Sequence, residues 1–259
     1  MSPSCLAVLT AAGSGTRLGC DGPKALVPVG GVPMVVRAVN GLVAAGVDGI
    51  VITAPLEAID DFRRLFPGGV AGVAGERHVP LVPVDIVAGS QASRQASVAL
   101  GLEGLRDMSE SRGLDLVDDS VVLIHDAARC LTPVEAIRRV IDAVEQGYHA
   151  VIPTIPVSDT LKRVGDAKGQ ESAPRPVHQT VDRSSLVAVQ TPQGFTWKVI
   201  SAAHERGASR SASEITAATD DAGLVEEMGG IVYVVDGDHL SLKVTTALDL
   251  TLAEVLITR

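Results

Sequence analysis

Past a short apolar run the chain reads LTAAGSGTRLGCDGPK over residues 9–24, a glycine-rich stretch that carries Arg17 and Lys24. A plain turn needs a glycine or two and no pair of cations. The backbone N–H groups of such a loop can turn inward around an anion. Arg17 would add a planar fork for phosphate oxygens, and Lys24 a compact point charge. Together they could neutralise a triphosphate and the extra charge of a phosphoryl-transfer transition state. Two familiar phosphate loops are excluded. A G-x-G-x-x-G fingerprint from Gly13 would need glycine where Leu18 stands, and a Walker A loop would need Gly-Lys-Ser/Thr where the chain has Pro23-Lys24-Ala25. A glycine-rich turn with two solvated cations stays open as the competing reading.

The elements that would hold this loop follow from hydrophobic pattern. Strands are predicted at 5–10, 49–53, 83–87, 120–125, 150–155 and 231–235, where β-branched and aliphatic residues run together. Helices are predicted at 33–45, 92–105, 133–146, 197–206 and 246–257. In the first of these, Val35, Val36, Val39, Leu42 and Val43 share a stripe behind Pro33 at a permitted first-turn position. This alternation predicts an α/β, Rossmann-like fold: a mainly parallel twisted sheet with helices on both faces. Ligands of such sheets sit beyond the carboxyl ends of the strands, where the opening loop and His125-Asp126 both fall. Residues 160–164 and 177–181 alternate differently and flank a polar middle, 165–176, which reads as a protruding β-hairpin arm. A lone hairpin is marginal, so a second subunit is its simplest support. The runs 109–112 and 209–213 read as solvent loops.

Composition sets the outer limits. At 259 residues, 46% of them hydrophobic, the chain can bury a sizeable core, and with 2% aromatics that core must be aliphatic. A net charge of −9 argues against nucleic acid or an anionic membrane as a partner, so a local cluster of cations and amides must meet any anionic ligand. Cys5, Cys20 and Cys130 are odd in number and widely spaced, which suits reduced thiols. With no basic leader and no membrane-length apolar run, a cytoplasmic location is expected.

Further motifs stand in order behind the loop: HDAARC (125–130), PVSDTLKR (156–163), TVDR (180–183), QTPQGF (190–195), TDDAGLVE (219–226) and LKVTTALDL (242–250). With the loop, this set closely resembles the 2-C-methyl-D-erythritol 4-phosphate cytidylyltransferases, nucleotidyltransferases of non-mevalonate isoprenoid synthesis. The resemblance runs from Leu6 to about Ala253. It implies one nucleotidyltransferase domain over 1–259, with a dimerisation arm within about 157–183. It implies transfer of CMP from CTP to the polyol phosphate, with pyrophosphate released and Mg²⁺ or another divalent cation as cofactor. Arg17, Lys24 and Lys243 would be the catalytic cations. Ala11, Ala12, Gly13, Gly15, Ser97, Asp126 and Ala127 would hold the nucleotide, with Asp126 also near the metal. Arg129, Thr160, Arg183, Thr191 and Thr219 would hold the second substrate, with Thr160 and Arg183 coming from the partner of a homodimer.

The residues alone leave plainer roles open: Asp126 as a strand-end cap, Arg129 as one half of an ion pair, Lys243 as a snorkelling strand residue, and Thr160 with Arg183 as ordinary hairpin residues. Two places depart from the family pattern. GSQASRQASV (89–98) stands where GGxxRxxSV is usual, keeping the Arg94–Ser97 spacing, and Cys130 stands where proline usually follows HDAAR. A cytidylyltransferase for another polyol phosphate, such as ribitol 5-phosphate, is the nearest alternative. A non-catalytic nucleotide-binding module is the alternative of another class.

Overall fold

The computed structural model describes residues 3–13, 15, 18–20, 22–72, 81–165, 174–213, 215 and 217–258. In chain order the strands are β1 (Cys5–Thr10), β2 (Pro28–Val29), β3 (Val32–Pro33), β4 (Gly49–Ala54), β5 (Val70–Ala71), β6 (Val82–Ala88), β7 (Val121–Asp126) and β8 (Ala150–Pro156). They continue with β9 (Leu161–Val164), β10 (Val177–Val181), β11 (Val187–Val189), β12 (Gln193–Thr196) and β13 (Tyr233–Asp236). The helices are α1 (Met34–Ala45), α2 (Ile59–Leu65), α3 (Arg94–Arg112), α4 (Val134–Glu145), α5 (Trp197–Gly207), α6 (Asp221–Glu227) and α7 (Ala247–Ile257).

The central sheet runs β11-β8-β12-β7-β1-β4-β6-β5, with β13 also paired to β8. Its middle, β6-β4-β1-β7, is parallel throughout. Antiparallel β12 follows between β7 and β8, and antiparallel β5 closes the far edge. β4 and β7 are buried at every position, as strands covered on both faces must be. Alternation along β1 divides the core. Ala7 and Leu9 face a layer that holds Val39 and Leu42 of α1, Phe62 of α2 and Val140 of α4. Leu6 and Val8 face Leu102 and Leu105 of α3, Ile200 of α5 and Leu224 of α6. A Cβ at Gly101 would run into Val8, so α3 lies close on β1, and its first turn is aimed at the ends of β1 and β7.

The six predicted strands and five predicted helices all exist, with ends moved by a few residues. The run 109–112 is not a loop: it is the last turn of α3, whose polar face continues past the expected stop at 105. α2 and α6, seven residues each, were not predicted as helices. β9 and β10 pair antiparallel as a separate two-stranded sheet with a register shift near His178. Much of the polar middle of this arm lies outside the described residues. Among the described residues no helix is long and apolar enough to cross a membrane.

Candidate active site

β1 leads to β4 on one side while β7 lies on the other, so the sheet's strand order reverses between β1 and β7. The carboxyl ends of these two strands form the crevice where ligands of open α/β sheets bind. Thr10 closes β1 and Asp126 closes β7, paired across the ladder. The chain then leaves β1 through Ala11, Ala12 and Gly13. Ala11 N–H is committed to Thr53 O, whereas Ala12 and Gly13 amides have no backbone partner among the described residues. Gly15 takes φ +72, and a Cβ there would sit 2.8 Å from Cys20 Sγ. Lys24 N–H returns to Gly13 O at 3.3 Å, folding the loop back on its own start. Arg17 lies outside the described residues.

Asp126 is the electrostatic centre. Its Oδ1 lies 3.1 Å from Arg94 Nε and 3.1 Å from Thr10 Oγ1, and its Oδ2 lies 2.8 Å from Lys243 Nζ. Burial alone would raise its pKa, but Arg94 first and then Lys243 hold it well below the usual carboxylate range. Asp126 is therefore an anion at any physiological pH. The Asp126 N–H donates to Thr191 Oγ1, which also lies 2.9 Å from His125 Nδ1. Burial pushes the His125 pKa down to about 4, so His125 is a neutral brace. Ala127 N–H donates to Thr10 O and ties the HDAAR turn to β1. Arg129 donates through Nη1 to Ser241 O at 2.7 Å, two residues before Lys243, and through Nη2 to Val189 O at 3.3 Å, two residues before Thr191. The three segments of the pocket are thus joined by one guanidinium.

Beneath this centre sits a small apolar cluster of Leu18, Val29, Met34, Cys130, Val244 and Ala253. It gathers the opening loop, the β2–β3 turn, the end of HDAARC, the residue after Lys243, and α7. Cys130 is buried there, so the position that departs from the family pattern has a packing role. Lys24 and Arg37 both lie near enough to act on its thiol, although burial still raises that thiol's pKa to about 11.

Ser97 is buried, with its hydroxyl bonded to Ser90 N and O and to Ser93 O; it fixes the turn 89–93 beside the opening loop. Thr219 is exposed and immediately precedes Asp220, whose side chain caps α6 through Gly223 N–H. Thr160 and Arg183 are exposed at the roots of the arm. Among the described residues no hydrogen bond or ion pair joins either side chain to the Asp126 cluster. Sequence reasoning missed Arg94, Asp221, His204 and Gln193. Arg94 Nη1 meets Asp221 Oδ2 at 2.7 Å, and Asp221 Oδ1 meets His204 Nε2 at 3.0 Å. Gln193 Oε1 accepts from the Asp221 and Ala222 amides. The retained Arg94 spacing was the available signal; its partners lie far away in sequence.

The donor set can be tested against a divalent cation. Among the described residues no group of three or more His, Cys, Asp or Glu is gathered for a metal. Asp126 offers a hard, ionised oxygen. That fits Mg²⁺ bound by one or two carboxylates plus phosphate oxygens, and does not fit a cage made only of protein.

The chain matches, over residues 5–259, the family model described as IspD: 2-C-methyl-D-erythritol 4-phosphate cytidylyltransferase. A Nocardia farcinica protein named 2-C-methyl-D-erythritol 4-phosphate cytidylyltransferase is 44% identical over 257 residues, covering 99% of this chain and 95% of that one. One of the same name from Saccharopolyspora erythraea is 43% identical, covering 98% and 99%. Among solved structures, 4-diphosphocytidyl-2C-methyl-D-erythritol synthase from Anaerococcus prevotii superposes with a TM-score of 0.73 at 25% identity, covering 99% of each chain. The Thermus thermophilus cytidylyltransferase gives 0.66 at 28%, covering 99% and 100%. The chain belongs to the 2-C-methyl-D-erythritol 4-phosphate cytidylyltransferase family.

Proposed function

We infer that the protein transfers CMP from CTP to 2-C-methyl-D-erythritol 4-phosphate, giving 4-diphosphocytidyl-2-C-methyl-D-erythritol and pyrophosphate, a step of non-mevalonate isoprenoid synthesis. The observation that carries this reading is the family match across residues 5–259. The chemistry fits the site. An oxygen of the polyol phosphate attacks the α-phosphorus of CTP as the bond to pyrophosphate breaks. That oxygen is already ionised near neutral pH, since the second ionisation of a phosphate monoester lies near pH 6. No general base is needed, which agrees with a neutral, buried His125. The demand is for positioning and for charge stabilisation on the α-phosphate and the departing pyrophosphate.

In this reading the amides of Ala12, Gly13 and Gly15 cradle the phosphates, and Lys24, Arg17 and Lys243 meet their charge. Asp126 would hold Mg²⁺ together with phosphate oxygens; bound there, the cation would draw charge off the triphosphate. Ser97 acts by holding the turn that forms one wall of the base pocket. Arg129 and Thr191 face the polyol phosphate. Thr160 and Arg183 serve the neighbouring subunit's pocket when two arms meet. Support for that pairing comes from exposed apolar residues on and beside the arm, Val177 at 59% and Val187 at 46% among them, which a second copy would cover.

The test is to incubate the protein with CTP, Mg²⁺ and either 2-C-methyl-D-erythritol 4-phosphate or ribitol 5-phosphate, and to follow pyrophosphate. Release is expected with the first and little with the second. Equal release would make the substrate a general polyol phosphate, and no release with either would favour a non-catalytic nucleotide-binding module.

A further inference from the structure

Arg94 stands in the first turn of α3, where the helix dipole disfavours a cation. It is nevertheless built in from the protein side. Asp221, 1% exposed, holds its Nη1 at 2.7 Å, and Asp221 is itself fixed by His204 Nε2 and by the Gln193 cap on its amide. From there Arg94 reaches Asp126 at 3.1 Å. Lys243 approaches the same carboxylate from the opposite, solvent side, and its side chain is 42% exposed. One partner of Asp126 is anchored by a second carboxylate, whereas the other has no second ion-pair partner among the described residues.

That asymmetry matters because the Asp126 side chain is only 8% exposed. A carboxylate so buried cannot give up all of its countercharge without a large penalty. Lys243 can leave it for a phosphate only if another cation stays behind. We propose that Arg94, anchored by Asp221, is a positioning residue that keeps the Asp126 carboxylate compensated and oriented while Lys243 passes from Asp126 to the triphosphate of CTP. This rests on the reading of Lys243 as a phosphate-binding lysine. Without Arg94, and before any metal ion binds, Asp126 would retain Lys243 and hold it away from the nucleotide.

The test is a double-mutant cycle on CTP affinity, measured by calorimetry in EDTA so that metal binding plays no part. Arg94→Gln is expected to weaken CTP binding on the order of tenfold. Asp126→Asn should then improve binding on the order of tenfold more in the Arg94→Gln protein than in the wild type, because it releases the trapped lysine. A merely structural Arg94 would not make a second lesion beneficial, so equal gains in the two backgrounds overturn the proposal. Arg94→Lys, which keeps the charge, should show a gain close to that of the wild type, and Arg94→Met serves as the second neutral background if Arg94→Gln does not fold. Lys243→Ala separates the premise from the inference. Unchanged CTP affinity in that variant removes the phosphate role of Lys243 and the proposal with it, whereas weakened affinity with equal Asp126→Asn gains removes the proposal alone.

Discussion

Lys24 and Lys243 stand at opposite ends of the chain, yet both rise beside the same apolar cluster, Lys24 between Leu18 and Val29 and Lys243 next to fully buried Val244. The cluster fixes their backbones, which suits cations that would meet the charge of a triphosphate in the proposed reaction. Lys24→Ala is therefore expected to lower turnover on the order of a hundredfold or more at saturating CTP, with an unchanged melting temperature, and Arg17→Ala is expected to do the same from its place in the sequence of the opening loop. Near-normal turnover in either variant would remove that residue from the site. The cysteines make a second test. Burial raises the thiol pKa of Cys5 and Cys130, so both stay protonated and shielded at neutral pH. Cys20 is half-buried in the opening loop, with Sγ 3.8 Å from both Gly15 O and Gly22 O. A thiol reagent under native conditions should label one cysteine quickly, abolish activity, and be slowed by CTP. Two fast thiols would contradict the buried setting of Cys130.

At the scale of elements, the turn after β6 and the loop after β1 touch. A Cβ on Gly89 would fall 2.6 Å from Ala12 Cβ, so nothing larger than glycine fits while the loop holds its course. Gly89→Ala should push Ala12 outward and raise KM for CTP several-fold, with little change in KM for the polyol phosphate; an unchanged KM for CTP would show that the loop gives way freely. The same scale explains what was legible in the sequence. β1, β4 and β7 were readable because strands buried on both faces leave unbroken aliphatic runs, and α1 and α4 because their stripes are long. α2 and α6 were not, since seven residues make too few turns for a period to emerge. QTPQGF announced itself as a family motif without disclosing its physics. Gln190 pins the Asp238 backbone at both its N–H and its carbonyl, Thr191 braces Asp126, and Gln193 caps α6. Arg94 and Asp221 are 127 positions apart, and no spacing rule joins residues that only the fold brings together.

For the whole molecule, the arm is the part that a single chain explains least. β9 and β10 pair with each other and not with the nine-stranded sheet, and most of their residues are exposed. A two-stranded ribbon of this kind gains its stability by packing on something else, and in the proposed dimer a twofold-related copy would give each arm the other as its support. Thr160 and Arg183 at its roots have no described link to the Asp126 cluster of their own chain. If they serve the partner's pocket, Arg183→Ala should raise KM for the polyol phosphate far more than for CTP, because the guanidinium would hold that substrate's phosphate. Mixing makes the sharper test. Arg183→Ala and Lys24→Ala proteins, each nearly inactive, would form hybrid dimers in which one pocket carries both lesions and the other carries neither. With subunit exchange verified by differently tagged chains, half of the hybrid's pockets should be intact, and activity should return toward a quarter of the wild-type level for an equal, fully exchanged mixture. A mixture that exchanges its subunits and stays inactive would mean that each chain completes its own site, and the arm would then be a prop for assembly only.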